Sequence, residues 1–208
     1  MKLFKSVHTY DYPWSLVSAA NWQKYPNEHC PHVQAVDVLD RRVDPETGIL
    51  VTERLITVKQ NVPTIMLKVL RNSVIQQLRT EEYSNIILLQ LMGTGHTQYV
   101  REISRIDPKQ KTMTMDSINL TLSNYMSVAE SITYEEHPIE PSKTQFTQQA
   151  AISAGIKLSR WASLVEDFSA NRFSQNAATG REGFNEVLQR FVVRAEGSSQ
   201  SQSRPASA

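Results

Sequence analysis

The chain has 208 residues, 40% of them hydrophobic, and a formal net charge of +1 at pH 7. This length suits one domain that buries a core or encloses a cavity, and the small net charge gives no global electrostatic reason to bind nucleic acid. No run of 18 or more apolar residues occurs, so no membrane-spanning helix is predicted.

Cysteine and histidine usage gives no sign of a disulfide or a metal site. Cys30 is the single cysteine, and the five histidines are scattered without zinc-ligand spacing, so we expect no metal and no other cofactor. Residues 1–12 lack the apolar core of a signal peptide, and they contain aspartate but no arginine, unlike a cleaved mitochondrial presequence. Composition alone would therefore indicate the cytosol.

Hydrophobic periodicity predicts an α+β domain. Strands are expected near residues 2–10, 32–43, 49–59, 97–107, 111–120, 124–136 and 143–155, and helices near 13–22 and 157–192. Asp11 is expected to cap the first helix, with Pro13 in its first turn. Strands in hairpin order with helices at both ends predict a single domain over residues 1–196, built on a curved antiparallel sheet of about seven strands. The Ser- and Gln-rich tail from Gly197 is predicted to be disordered.

A basic residue lies in phase with aliphatic ones in the third predicted strand. Leu50, Thr52, Arg54, Ile56 and Val58 share one face by the period of two. An arginine on an apolar face costs several kcal/mol unless a partner accepts its hydrogen bonds. Two partners stay open: a carboxylate of the same protein, such as that of Glu53 or Glu102, or the anionic head of a ligand.

The C-terminal helix also carries polar groups in an apolar stripe. Helical spacing aligns Trp161, Val165, Phe168, Arg172 and Asn176. One interpretation is that this helix covers a cavity and lends two polar groups to it. The other is a shifted phase, in which Phe173 and Ala177 face inward and only the stem of Arg172 is buried.

The sequence contains none of the motifs that would indicate an enzyme. No Gly-x-Ser-x-Gly elbow, P-loop, Rossmann glycine motif or His-Glu-x-x-His occurs. A non-enzymatic function is therefore expected.

A series of short motifs along the chain resembles a known family. The motifs are KYPN (24–27), His32-Val33, VDVL (36–39), TERLITVK (52–59), Val100-Arg101-Glu102, Asp107-Pro108-Lys109, Glu166-Asp167-Phe168-Ser169, Arg172-Phe173, Asn176 and Gly180-Arg181. In order and spacing they resemble the PRELI/Ups/slowmo lipid transfer proteins of the mitochondrial intermembrane space, closest to the fungal Ups2-like, slowmo branch. The resemblance covers about residues 1–192.

The resemblance implies a lipid cavity beneath the long helix and a head-group site in it. Its candidate residues are Lys24, His32, Arg54, Arg172 and Asn176. Without the resemblance, Lys24 could equally be a solvated turn lysine and His32 a satisfied histidine at a strand start. Thr179 stands where many relatives carry a lysine, which weakens the positive charge of the predicted site.

The resemblance further implies a mobile lid over the mouth of the cavity. Its apolar residues are Val62, Pro63, Ile65, Met66, Leu67, Val69 and Leu70. An atypical insertion follows at about 71–92, and the family pattern resumes at Gly93. The insertion is either a longer lid that touches the membrane or a short intron translated in frame, and the transcript across codons 70–93 would separate the two.

The function implied by the resemblance is transfer of phosphatidylserine between the outer and inner mitochondrial membranes, which supports phosphatidylethanolamine synthesis. Two alternatives are phosphatidic acid transfer for cardiolipin synthesis and a non-transporting interaction module of the same fold. The resemblance also implies location in the intermembrane space, transient contact with mitochondrial membranes and a small helical partner with twin cysteine motifs.

Overall fold

The computed structural model describes residues 1–59, 97–121, 123, 126–155 and 162–202, with side chains up to residue 194. It confirms the predicted α+β class. The elements are β1 Lys2–Tyr10, α1 Trp14–Ala20 with a 3-10 turn over Asn21–Gln23, β2 Val33–Val43, β3 Leu50–Lys59, β4 Thr97–Asp107, β5 Thr112–Asn119, β6 Met126–Glu136, β7 Thr144–Ala154 and α2 Ala162–Gln202.

The seven strands form one curved antiparallel sheet in the order β1-β7-β6-β5-β4-β3-β2. Strands β2 to β7 follow one another in sequence, and β1 pairs with β7 from Lys2–Ile152 to Tyr10–Thr144. The β2–β3 turn illustrates the local cause: the Asp44 carboxylate accepts hydrogen bonds from the amides of Glu46 and Thr47, and Gly48 adopts a φ of 77°. That left-handed conformation suits glycine, so the predicted hairpin forms where the sequence places it.

The hydrophobic core lies between one end of the sheet, α1 and α2. Tyr10, Tyr134, Phe146 and Phe184 form an aromatic cluster with ring centroids 5.0–6.3 Å apart. The indole of Trp14 packs beside them and donates to the carbonyl of Tyr134 at 3.2 Å. Full burial of one such side chain contributes about 1.5–3 kcal/mol, so this cluster fixes both helices against the sheet.

The predicted cap of the first helix is wrong. Pro13, in an extended conformation, precedes the helix, and no side chain caps it. Asp11 lies three residues before Trp14, too early for a cap, and its carboxylate instead lies 3.4 Å from the ammonium of Lys143. An N-cap must directly precede the first helical residue for its side chain to reach the free amides.

The C-terminal helix continues to Gln202, past the predicted end at 192 and past Gly197, where the disordered tail is predicted to begin. No proline interrupts residues 162–202, so nothing in the sequence removes a backbone donor from this helix. The predicted lid (62–70), the insertion (71–92), Trp161 and residues 203–208 lie outside the described residues. Within the described ranges, no helix combines the length and hydropathy needed to cross a bilayer.

Candidate functional site

The inner face of the sheet and α2 enclose a cavity of about 340 Å³. Most of its wall is apolar, from Ile56, Val100 and Met115 on the sheet to Val165 and Phe168 on the helix. Charged and polar side chains interrupt this wall, among them Lys24, His32, Glu102, Glu130, Gln148, Arg172, Asn176 and Arg181. An apolar cavity with a small number of polar groups is the usual form of a small-molecule site.

Lys24 lies at the cavity wall in the turn after α1. Its ammonium is 5.5 Å from the ring centroid of Tyr25 and 5.7 Å from that of Phe184. Burial by itself would lower the pKa of Lys24, whereas the attraction of the Glu130 carboxylate raises it. Tyr25, Tyr134 and Tyr10 raise it further only where their phenols are ionised, and burial raises the pKa of each of these phenols. Among the described residues, no carboxylate oxygen lies within 4.0 Å of this ammonium.

The Lys24 turn is held by the C-terminal helix. Asn27 donates to the carbonyl of Lys24 at 2.9 Å, and its side-chain oxygen accepts from the amide of Cys30 at 3.0 Å. Gly183 of α2 packs so closely here that a Cβ would lie 2.7 Å from the side-chain oxygen of Asn27. The imidazole of His29 also lies 2.7 Å from a carboxylate oxygen of Glu186. The absence of a side chain at Gly183 thus permits the approach that positions Lys24.

Arg54 does not line the cavity, in contrast to the other four predicted head-group residues. Its Nε and Nη2 both donate to one oxygen of Glu102, at 2.8 and 2.6 Å. The two residues are opposite each other in the β3–β4 register and are 5% and 6% exposed. The guanidinium also lies 5.2 Å from the ring centroid of Trp22. The structure therefore shows the carboxylate alternative that the sequence left open.

His32, Arg172 and Asn176 all line the cavity. Burial lowers the pKa of His32, and the nearby charge of Arg172 lowers it further, so this imidazole is neutral at pH 7. Phe173 and Ala177 line the cavity as well, so the two interpretations of the helix are compatible. The inward face of α2 is broad enough for both sets of residues. Thr179, the position at which many relatives carry a lysine, donates its hydroxyl to the backbone carbonyl of Gln175 at 3.1 Å and is not among the residues that line the cavity.

Sequence reasoning missed Glu130, Gln148 and Arg181 as cavity residues. Glu130 is on β6, in phase with buried Ile132 and Tyr134, and Gln148 is on β7, in phase with Phe146. The period of two, applied to these strands as it was to β3, would have indicated both. Arg181 lies beyond the stripe of α2 that ends at Asn176.

The pattern along the whole chain matches the model of the PRELI-like family, over residues 15–86 and 84–194. The chain belongs to the PRELI-like family. The two matched segments meet and overlap at residues 84–86, inside the predicted insertion.

Three relatives of this PRELI-like chain span nearly all of it. It is 43% identical to the mitochondrial protein UPS2 of Saccharomyces cerevisiae over 192 residues, which are 92% of this chain and 74% of the relative. It is 40% identical to the UPS-like protein C36.10 of Schizosaccharomyces pombe, covering 96% and 98% of the two chains. It is 32% identical to the slowmo homolog of Dictyostelium discoideum, covering 94% and 75%.

The fold is also shared with a solved structure of very different sequence. The Zhui aromatase/cyclase from Streptomyces sp. R1128 aligns with a TM-score of 0.56 at 10% identity, covering 92% of this chain and 95% of that one. At this identity the likeness concerns the fold alone. Within the described residues, no group of three or more His, Cys, Asp or Glu side chains is arranged to hold a metal ion.

Proposed function

We propose that this PRELI-like chain is a phospholipid transfer protein that carries phosphatidylserine between the outer and inner mitochondrial membranes and so supports phosphatidylethanolamine synthesis. The single observation that carries the proposal is the position of the Lys24 ammonium in an apolar-walled cavity, with no carboxylate within 4.0 Å among the described residues. An ammonium in such a place is stabilised by an anionic ligand that also has a large apolar part.

A phospholipid fits both requirements. Each acyl CH₂ that leaves the bilayer for water costs about 0.8 kcal/mol, so two bare chains face a barrier on the order of 20 kcal/mol. The apolar wall formed by residues such as Met115, Ile132, Val165 and Phe168 would replace the bilayer around these chains. A carrier of this kind lowers the barrier without any covalent step.

The positive groups of the cavity suit a phosphate. Lys24 and Arg172 supply charge, and neutral His32 and Asn176 supply further hydrogen bonds. Charge-assisted hydrogen bonds of this type are about twice as strong as neutral ones. Arg54, already bonded to Glu102, stabilises the wall instead of contacting the head group in this proposal.

The mitochondrial part of the proposal is supported by the mitochondrial yeast relative at 43% identity. Location in the intermembrane space, the lid over residues 62–70 and the small helical partner with twin cysteine motifs stay predictions. Recovery of such a partner by affinity purification from mitochondria, and its absence from a cytosolic fraction, would support both the partner and the location.

The test is transfer of fluorescent lipids between donor and acceptor liposomes by the purified full chain. We expect transfer of phosphatidylserine and recovery of the lipid chemically unchanged after prolonged incubation. No transfer of any anionic phospholipid would contradict the carrier proposal and favour the interaction module. Transfer of phosphatidic acid without phosphatidylserine would assign the alternative cargo.

A further inference from the structure

The cavity contains a second carboxylate whose surroundings differ from those of Glu102. Glu130, on β6, accepts hydrogen bonds from the hydroxyl of Ser117 at 3.1 Å and from the amide of Gln148 at 2.6 Å. Glu102 has the guanidinium of Arg54 at 2.6 Å. For Glu130, no cationic nitrogen of the described residues lies within 4.0 Å.

Gln148 places a further hydrogen-bond acceptor beside Glu130. Its amide must turn the NH₂ group toward Glu130, because an ionised carboxylate only accepts hydrogen bonds. The other end of the amide, Oε1, is then buried without a donor among the described residues, and Gln148 is only 6% exposed. Buried polar atoms are usually satisfied, so an unsatisfied acceptor beside an uncompensated carboxylate requires an explanation.

The cavity therefore contains both signs of charge in separate places. Glu130 is close enough to Lys24 for its charge to help raise the pKa of that ammonium, yet the two groups are not in contact. A half-buried carboxylate without a cation is costly, and the cost falls when a ligand brings a positive, donating group. A ligand that has a cationic centre as well as an anionic one would satisfy both ends, and phosphatidylserine has an ammonium beside its phosphate and carboxylate.

We propose that Glu130, held by Gln148 and Ser117, recognises an ammonium group in the lipid head and so selects aminophospholipids over phosphatidic acid. This inference rests on the proposed transfer function and adds the chemical basis of its selectivity. The ammonium of a serine head would donate to Glu130 while its phosphate contacts Lys24. Phosphatidic acid and phosphatidylglycerol have no group to donate a charged hydrogen bond there.

The test compares three anionic lipids in the liposome assay: phosphatidylserine, phosphatidylglycerol and phosphatidic acid. Glu130→Gln keeps the shape and removes the charge. We expect it to lower phosphatidylserine transfer about tenfold relative to transfer of the other two lipids, the size expected for a lost hydrogen bond between charged groups. The ratio of phosphatidylserine to phosphatidylglycerol transfer is the deciding quantity.

The chain offers a closely matched control. Glu135, also on β6, accepts a hydrogen bond from the amide of Gln145 on β7 at 2.8 Å, and it does not line the cavity. Glu135→Gln should leave all three transfer rates unchanged. Glu130→Asp, which keeps the charge one methylene further away, should lower the ratio less than Glu130→Gln does, and it tests the inference even if the glutamine variant fails to fold.

Three outcomes separate the two proposals. Wild-type protein that transfers none of the three lipids would contradict the transfer function and this inference with it. Wild-type transfer with an equal loss of all three lipids in Glu130→Gln would leave the function standing and overturn the inference, since Glu130 would then only support Lys24. A wild-type protein that transfers phosphatidylglycerol as fast as phosphatidylserine would also overturn it.

Discussion

Arg54 and Lys24 are both basic, both lie in the first third of the chain and both are directed to the inner side of the sheet, yet their surroundings differ. Arg54 is on a strand, and the β3–β4 register places Glu102 directly opposite it. Lys24 is in a turn, where no strand neighbour faces it, and its ammonium stays at the cavity wall without a carboxylate in contact among the described residues.

The difference shows when an inward basic residue is paired within the protein and when it is available to a ligand. On a strand, the side chain opposite lies about 4.5–5.5 Å away at Cβ, so an acidic neighbour neutralises it within the protein. In a turn, the position is set by packing of the backbone, here against Gly183, and the charge is left for a ligand. A basic residue in an apolar strand pattern is therefore a candidate for ligand binding only when the residue opposite it on the neighbouring strand is not acidic.

The largest expected effect is on the free energy of unfolding, and it distinguishes Arg54 from Lys24. Arg54→Ala should lower the free energy of unfolding by about 3–5 kcal/mol, because it leaves the carboxylate of Glu102 buried without a partner. Arg101→Ala is the control, since Arg101 forms an exposed pair with Glu53 on the other face of the same strands, at 2.7 Å. Its loss should have little effect on stability, because exposed ion pairs contribute little.

Urea denaturation followed by circular dichroism measures both values. Removal of the pair together, in Arg54→Leu/Glu102→Leu, should restore most of the stability lost in Arg54→Ala. If Arg54→Ala retained full stability and lost lipid transfer, Arg54 would be a ligand residue after all.

A second prediction concerns the support of the Lys24 turn. Gly183→Ala should destabilise the protein by about 1–3 kcal/mol through overpacking, because the added Cβ would meet the side chains of Asn27 and His29 at 2.7–2.9 Å. Gly180, on the same helix, has no atom within 4 Å of such a Cβ. Gly180→Ala should therefore be neutral or stabilising by up to about 1 kcal/mol, through helix propensity.

Thermal unfolding of the two alanine variants, side by side, checks this prediction. Equal stability of both would show that the turn moves aside without cost, and that Gly183 does not position Lys24.

A third prediction isolates the charge of Lys24. Lys24→Met should lower the transfer of phosphatidylserine and of phosphatidic acid alike, by about tenfold, since both contain the phosphate. Stability should be unchanged or increased, because a half-buried charge with no carboxylate in contact among the described residues is removed. Lys111→Met, which removes an exposed lysine paired with Glu136, is the matched control and should leave transfer unchanged.

The smallest expected effect is the pH dependence from His32. Its pKa is lowered in the folded protein, so below about pH 6.5 the unfolded chain takes up a proton that the folded chain does not. Stability should fall as the pH falls through this window, and His32→Gln should reduce the slope. His8, whose pKa burial also lowers, contributes in the same direction, so His8→Gln should reduce the slope separately.

Urea midpoints measured between pH 7.5 and 5.5 test the sign. If stability rose on acidification, His32 would be protonated in the folded cavity. An anionic ligand near His32 should oppose the loss, because a bound phosphate favours the charged imidazole.

Most of the fold was predictable, because it depends on local patterns. The seven strands and the long helix follow from alternation and helical spacing, and the β2–β3 hairpin from Asp44 and Gly48. The candidate site was predictable in part: His32, Arg172 and Asn176 line the cavity with Lys24, whereas Glu130 and Gln148 were missed. Those two residues gain significance only when β6 and β7 are placed side by side.

The sequence by itself determined which side chains point to the inner face of the sheet, because the period of a strand is fixed by its backbone geometry. The tertiary structure decided which of these side chains meet a partner. Strand register brought Glu102 to Arg54, and close packing at Gly183 fixed the turn that holds Lys24 at the cavity. Pairing between residues far apart in the chain depends on register and packing, which no local pattern contains.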